Sequence, residues 1–174
     1  MQEKSLVFTE YPRPQLKRDS FFNLNGKWLA NENDIIVPFP PESKASGYNG
    51  KLCSTYEYKK EFELPDDFVA ALKNQNQKNR VILHFGAVDQ KATLFVNDIF
   101  VGSHLGGYLP FSFDITDYLE NYSEKQKITL VAEDNLNHFF PYGKQKKNRG
   151  GMWYTPVSGI WQTVWMEIVP EIYI

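Results

Sequence analysis

The feature that most restricts the fold of this chain is a series of short β-favouring segments between Arg80 and Thr116. The stretch reads RVILHFGAVDQKATLFVNDIFVGSHLGGYLPFSFDIT, in which β-branched and aromatic residues alternate with polar ones. Turn-forming residues separate these segments, namely Gly86, Asn97-Asp98 and Gly106-Gly107. Alternating runs bounded by such residues predict strands joined by tight turns. The stretch therefore predicts an all-β architecture.

The same pattern predicts further strands on both sides of this stretch. Between Tyr56 and Leu64, apolar residues occupy alternate positions, so one face of the strand should be buried and the other solvated. Residues 66–73, which follow Pro65, predict a short helix that buries Phe68 and Leu72. The remaining predicted strands cover residues 80–85, 92–96, 99–103, 127–134 and 161–169. Many short strands with little helix predict a two-sheet β-sandwich.

The first third of the chain has a different composition. Residues 10–50 contain prolines at five positions, 12, 14, 38, 40 and 41, together with several Asn and Gly residues. This composition predicts an extended, irregular arm, covering about residues 1–52, that wraps over a sheet rather than forming one. With 174 residues, the chain is long enough for one domain, predicted to span 1–174.

Composition excludes several classes of partner and location. A net charge of −2 leaves no basic excess to follow a phosphate backbone, so nucleic acid is not an expected partner. No apolar run approaches the ~20 residues that a membrane helix requires. The start of the chain lacks a secretory signal pattern, and the single Cys53 cannot form an internal disulfide. These features predict a cytoplasmic protein.

Three separated motifs, taken in their order, resemble one known domain. They are HFGAVDQKATLFVN, GGYLPFSFDIT and WYTPVSGIWQTVW, and the opening YPRPQLKRDSFFNLNGKW fits the same pattern. Together they resemble the amino-terminal sugar-binding domain of glycoside hydrolase family 2, the β-galactosidase and β-glucuronidase family. The resemblance implies a jelly-roll β-sandwich, galactose-binding-domain-like, within a larger hydrolase. It also implies a carbohydrate substrate, immunoglobulin-like and TIM-barrel domains as partners, and a parent that can form a homo-oligomer.

The catalytic groups of such a hydrolase are not expected in this chain. The resemblance implies a retaining mechanism with two glutamates about 5–5.5 Å apart on the barrel, and no segment here resembles the barrel motifs. We therefore expect no hydrolysis from this polypeptide and no catalytic residue within it. No cofactor is expected, because no Gly-rich phosphate loop joins a strand to a helix. The three histidines, His84, His104 and His138, lack the spacing of a metal site.

Asp89, in GAVDQKA, is the first candidate for contact with a sugar. The resemblance implies that the matching position in β-galactosidases lies on a loop that reaches the active site and binds the terminal sugar. A carboxylate suits this role because it accepts charge-assisted hydrogen bonds from adjacent hydroxyl groups. The alternative is that Asp89 caps the turn between two strands.

The second candidate region is the long irregular span from Asp134 to Trp153. Loops of this length in compact domains are usually functional or disordered, and the resemblance implies that this one covers part of the catalytic pocket. Its candidate substrate-binding residues are Asp134, Lys144, Gln145 and Trp153. The basic residues Lys144, Lys146, Lys147 and Arg149 favour either an anionic sugar or a solvated charge run.

Two other observations bear on sugar recognition by this chain. Gly151 precedes Met152-Trp153, where the resemblance implies a galactose-contacting Asp in β-galactosidases, which argues against terminal galactose. Trp161 and Trp165 are predicted to share one face of a strand and to belong to the core.

The sequence leaves three functions open. The first is an amino-terminal family 2 domain, β-galactosidase-like, that buttresses a catalytic barrel and contributes loops to its pocket. The second is a free-standing lectin-like module that binds sugar without a barrel. The third is a purely structural domain that buries apolar surface against its neighbours and does not contact substrate.

Overall fold

The computed structural model describes residues 7–148 and 150–173. Its first six strands are β1 (Phe22–Asn23), β2 (Gly26–Ala30), β3 (Asn33–Val37), β4 (Thr55–Phe62), β5 (Asn79–Phe85) and β6 (Val88–Asp89). The others are β7 (Lys91–Val96), β8 (Ile99–Leu105), β9 (Phe111–Asp114), β10 (Gln126–Glu133), β11 (Gly159–Ile160) and β12 (Val164–Pro170). An α-helix, α1 (Asp66–Lys73), and 3-10 helices at Pro14–Leu16, Lys44–Ser46 and Thr116–Tyr118 complete the described elements.

The strands form two packed sheets and a small ribbon. The four-stranded sheet has the order β1-β12-β5-β9, and the six-stranded sheet has the order β3-β2-β4-β10-β7-β8. The ribbon pairs β6 with β11, and the strand pairings in all three are antiparallel. The core lies between the inner faces of the two large sheets. The predicted jelly-roll β-sandwich is therefore confirmed.

The alternation predicted for β4 is confirmed. Tyr56, Tyr58 and Phe62 are buried in the core, whereas the charged side chains between them lie on the outer face of the six-stranded sheet. Lys60 interrupts the apolar series, and its ammonium group donates a 2.9 Å hydrogen bond to the carbonyl of Lys27. A long methylene stem allows a lysine at such a position to bring its charge to the rim of the core.

Two local predictions are also confirmed. Helix α1 spans 66–73 and buries Phe68 fully and Leu72 partly against the core. Asn97 and Asp98 have φ of 49° and 66° and join β7 to β8. Two successive residues with positive φ form the type I′ turn that matches the twist of a hairpin.

The prediction that residues 10–50 stay outside the sheets is wrong for 22–37. Strand β1 pairs with β12 in one sheet, while β2 and β3 form a hairpin at the edge of the other. Trp28, Ala30, Ile35 and Val37 alternate with exposed residues and enter the core. The prolines lie outside these three strands, so they do not interrupt a ladder.

The prediction of a continuous strand over 161–169 is wrong at its beginning. Strand β12 begins at Val164, and Trp161 lies before it, with its backbone N–H bonded to the carbonyl of Ala87. The chain is interrupted here because Gly159–Ile160 pairs with β6, whereas the residues from Val164 onward pair with β5. Trp165 is buried as predicted, but it lies opposite His84 on the outer face of the four-stranded sheet rather than in the core.

Candidate functional site

Asp89 lies at the end of the sandwich where the ribbon meets two loops. Strand β6 pairs Asp89 with Gly159 of β11, and this fixes the direction of its side chain. The residue is only 3% exposed. Its Oδ2 accepts a 3.4 Å hydrogen bond from Nε2 of Gln145, whereas Oδ1 has no partner among the described residues. The Asp89 side chain thus bonds to the long loop, and among the described residues it does not cap the turn between the two strands.

The Gly106-Gly107-Tyr108 segment covers the free oxygen of Asp89. A Cβ at Gly107 would lie 2.2 Å from Oδ1, so only glycine permits this approach. The carbonyl of Gly107 accepts a 2.8 Å hydrogen bond from Nε1 of Trp161, and the Tyr108 ring packs edge-on against the same indole. Trp161, predicted to belong to the core, therefore supports this loop instead.

Gln145 is the residue that holds the long loop in shape. Its Nε2 donates to the carbonyl of Tyr142 at 2.8 Å as well as to Asp89, and its Oε1 accepts from the backbone N–H of Val157 at 2.6 Å. Its backbone also forms a parallel bridge with Tyr154. One buried amide therefore joins both limbs of the loop to the ribbon strand β6.

Asp134 lies at the start of this loop, beside an open cleft of about 500 Å³. Its Oδ1 accepts a 2.7 Å hydrogen bond from the backbone of Leu136. Burial raises the pKa of Asp134, although the Leu136 hydrogen bond and the nearby Lys147 act in the opposite direction. The cleft also contains Glu42, whose carboxylate accepts hydrogen bonds from the backbone and hydroxyl of Ser158.

The electrostatics of Asp89 disfavour its charged form. Burial is the main cause, and the neighbouring carboxylate of Asp134 adds to it, while the hydrogen bond from Gln145 opposes both. Burial and Asp134 outweigh the hydrogen bond, and the pKa of Asp89 is raised to about 6. A folded-state pKa above the unfolded one means that this group's stabilising contribution is present at low pH and is lost as pH rises through about 6.

We expect Asp89→Asn to raise the free energy of unfolding by about 1–2 kcal/mol at pH 8 and to change it little at pH 4. The asparagine oxygen can still accept from Gln145, while the cost of burying a charge disappears. Urea unfolding at both pH values measures the effect. Equal effects at the two pH values would show that the ionised carboxylate is not penalised by its surroundings.

Lys144 and Trp153 lie on the outward side of the loop, in a shallow depression with Gly150, Gly151, Met152 and Tyr154. Nζ of Lys146 lies 4.2 Å from the centroid of the Trp153 ring, within cation–π range. Of the five predicted site residues, Asp89 and Gln145 are hydrogen-bonded to each other. Asp134 lies close enough to raise the pKa of Asp89. Lys144 and Trp153 form a separate group on the outward side of the loop. Arg149 lies outside the described residues.

Sequence reasoning did not find Glu42, Ser158 or Gly107. Glu42 lies far from the loop in sequence, and only the fold brings it to Ser158. Gly107 had a visible signal in the Gly106-Gly107 pair, which was interpreted only as a turn. Within 7–148 and 150–173, no group of three or more His, Cys, Asp or Glu side chains is placed to hold a metal ion. None of the described helices is long and apolar enough to cross a membrane.

Comparison with known proteins decides the family. The family described as "Glycosyl hydrolases family 2, sugar binding domain" matches residues 37–167, well over half of the chain. The chain belongs to glycosyl hydrolase family 2. This family 2 domain is 31% identical over 118 residues to a β-galactosidase of Thermoanaerobacter pseudethanolicus, covering 67% of the chain and 14% of that protein. It is 26% identical over 131 residues to a β-glucuronidase of Formosa agariphila, covering 74% of the chain and 12% of that protein.

Solved structures support the same fold for this family 2 domain. A β-D-glucuronidase of Dictyoglomus thermophilum matches with a TM-score of 0.64 at 20% identity, covering 91% of this chain and 30% of that one. A β-glucuronidase of Bacteroides uniformis matches with a TM-score of 0.63 at 21% identity, covering 86% of this chain and 18% of that one. The domain therefore spans a small part of each relative, all of which are glycoside hydrolases.

Proposed function

We propose that this domain belongs to a retaining β-glycoside hydrolase, buttresses its catalytic barrel and contributes the loop from Asp134 to Trp153 to the substrate pocket. Hydrolysis is assigned to two barrel glutamates outside this chain. The first proposal for the parent is a β-galactosidase-like enzyme, because the Thermoanaerobacter relative carries that name. The glycine at position 151 argues against terminal galactose, so a β-glucuronidase-like parent is the second.

The observation that carries this proposal is the attachment of the loop through Gln145. A long loop without regular structure is normally mobile, and mobility weakens a binding site because ordering costs free energy on binding. Here a buried amide bonds to Asp89, to Tyr142 and to Val157, so the loop is ordered before any ligand arrives. Such an arrangement is typical of a loop whose outer side chains must be held in place.

The five candidate residues then divide into three roles. Lys144 and Trp153 face outward and are the proposed contacts, the indole through stacking and the ammonium group through hydrogen bonds to hydroxyls. Asp89 and Gln145 support them from beneath, and Asp134 shapes the start of the loop. Direct contact between Asp89 and a sugar stays a prediction, since it requires the carboxylate to become accessible.

The test is ligand-observed NMR of the chain with galactose, glucuronate, glucose and mannose. We expect weak saturation transfer to one of them, abolished in Trp153→Ala and retained in Phe139→Ala. Phe139 is the matched control because it is an aromatic residue of the same loop, 94% exposed and outside the depression. A signal from galactose, glucose or mannose that survives Trp153→Ala would contradict the assignment of this surface.

Three further outcomes separate the alternatives. Turnover of p-nitrophenyl glycosides by the purified chain would overturn the assignment of catalysis to the barrel. Saturation transfer to a neutral sugar that persists in Trp153→Ala would instead favour the lectin-like module, because that module carries a sugar site of its own. Absence of transfer to all four sugars would exclude that module and leave a domain that completes a pocket formed elsewhere.

A further inference from the structure

A separate cavity of about 560 Å³ lies on the outer face of the four-stranded sheet, away from the Asp89 site. Its floor is formed by β5, β9 and β12, and its wall is the segment 11–18 near the amino terminus. The side chains that carry the argument are Tyr11, Arg13, Lys17, His84, Ser112 and Glu167. The volume lies in the range of small-molecule sites in proteins.

The wall of this cavity is attached to its floor by polar contacts. The Tyr11 hydroxyl donates to Oε1 of Glu167, which also accepts a 3.0 Å hydrogen bond from Nε1 of Trp165. Nε of Arg18 lies 3.1 Å from Oε2 of the same carboxylate. Glu167 is 4% exposed, so these contacts neutralise a charge that would otherwise be buried without compensation. The cavity is therefore formed before any ligand binds.

Two cations of this wall have no anionic partner among residues 7–148 and 150–173. Arg13 holds its guanidinium carbon 5.1 Å from the centroid of the Trp165 ring, and no carboxylate of the described residues lies within ion-pair distance of it. Lys17 also lines the cavity and forms no ion pair with a described residue. A guanidinium group stacked on an indole keeps its N–H edges available for a planar oxyanion.

The floor contributes a buried group with unused hydrogen-bonding capacity. His84 is 8% exposed and stacks on Trp165 with ring centroids 4.7 Å apart. Its Nε2 lies 3.3 Å from Oε2 of Glu167 but outside hydrogen-bond geometry, and its Nδ1 has no partner in the described part of the chain. A buried polar group without a partner is costly and unusual in native proteins. A bound oxygen atom would give it one.

The charges around the cavity favour an anion. Arg13, Lys17 and Arg18 face it from the wall, while Glu167 is the acidic side chain of the floor that lines it. Nearby Arg80 and Asp114 lie 3.6 Å apart and largely cancel each other. We propose that this cavity binds a small molecule bearing a carboxylate or a phosphate, with Arg13 and Lys17 paired to the oxyanion and His84 and the Ser112 hydroxyl bonded to its remaining polar atoms.

Isothermal titration calorimetry of the chain with sodium glucuronate, inorganic phosphate and galactose tests this proposal, and Trp153→Ala, which lacks the proposed sugar contact, separates it from the proposed function. We expect glucuronate or phosphate to bind with undiminished affinity in Trp153→Ala, and galactose, the neutral probe, to show no heat of binding to that variant. Comparing the two anions identifies whether a carboxylate or a phosphate is preferred. Arg13→Gln should weaken binding by about ten- to a hundredfold, because a charge-assisted hydrogen bond is lost.

Lys125→Ala is the matched control, since it removes one positive charge from an exposed loop outside the cavity. It should bind the anion as the unmodified chain does. His84→Gln provides a second variant on the floor, and a thermal melt of each variant confirms that it is folded. Binding that is equally weakened by Lys125→Ala, or absent for both anions, would overturn the proposal. Equal binding of galactose by Trp153→Ala would also overturn it.

Discussion

Replacing Gly159 with alanine should destabilise the domain by about 2–5 kcal/mol. Gly159 has φ of +71°, where an alanine costs about 1–2 kcal/mol. The added Cβ would also lie 2.1 Å from the hydroxyl oxygen of Tyr58 and 2.8 Å from its Cζ. Tyr58 is fully buried and cannot move aside freely, and overpacking of this kind costs about 1–3 kcal/mol. Urea unfolding followed by tryptophan fluorescence measures the sum.

Gly47→Ala is the control for the backbone contribution. Gly47 has φ of +65°, and no atom lies within 4 Å of its added Cβ. Only the backbone cost of placing alanine at positive φ, about 1–2 kcal/mol, should therefore remain. The double variant Gly159→Ala/Tyr58→Phe should recover part of the loss, because the nearest clashing atom is absent. If Gly159→Ala cost no more than Gly47→Ala, then Tyr58 would not pack against β11 as described.

The same substitution should affect the candidate site. Gly159 is the partner of Asp89 in the ribbon, and Gln145 joins that ribbon to the long loop. A displaced β11 therefore moves the point at which the loop is attached. The packing of Tyr58 in the core and the shape of the loop are coupled through two short strands.

The parts of the fold that the sequence predicted well are those in which neighbouring residues decide the conformation. Asn97 and Asp98 adopt positive φ, as their residue types favour, and α1 begins directly after Pro65 as predicted. The alternation in β4 is visible because one face is in water and the other in the core. These three features can be predicted from neighbouring residues alone, without knowing which distant segments pack against them.

The errors occur where distant segments decide the outcome. Strand β1 contains only Phe22 and Asn23, and it exists because β12 lies beside it, more than a hundred residues later in the chain. The break before Val164 depends on β11 pairing with one strand and β12 with another. A local pattern of apolar residues cannot show which partner each segment will find.

The candidate site shows the same division. Asp89 and Gln145 were identified through resemblance to a family, yet their hydrogen bond to each other was not predicted. The requirement for glycine at 107 arises from the Asp89 carboxylate, which no local turn rule contains. The cluster around Glu167 was missed entirely, because its members come from both ends of the chain and from β5.

Acidification should remove about 3 kcal/mol of stability through Glu167 alone. Burial by itself would raise the pKa of this carboxyl, but the contacts from His84, Tyr11 and Trp165 outweigh burial and lower the pKa to about 2. A depressed folded-state pKa contributes stability that is complete above the unfolded value of 4.5 and is lost as pH falls through about 2. Urea unfolding at intervals from pH 7 to pH 2 measures this loss.

Glu167→Gln should flatten the acid limb of this profile and lower stability at pH 7, because Arg18 loses its charged partner. Glu171→Gln is the control, since Glu171 pairs with Lys78 at an exposed position and should leave the acid limb unchanged.

Asp89 acts with the opposite sign, because its pKa of about 6 makes the fold more stable as pH falls through that value. The two carboxyls therefore predict maximum stability between their transitions, near pH 4 to 5, with Asp89→Asn removing the neutral limb and Glu167→Gln the acid limb. A profile that keeps its acid limb in Glu167→Gln would show that the segment 11–18 is not held to the sheet by this charge.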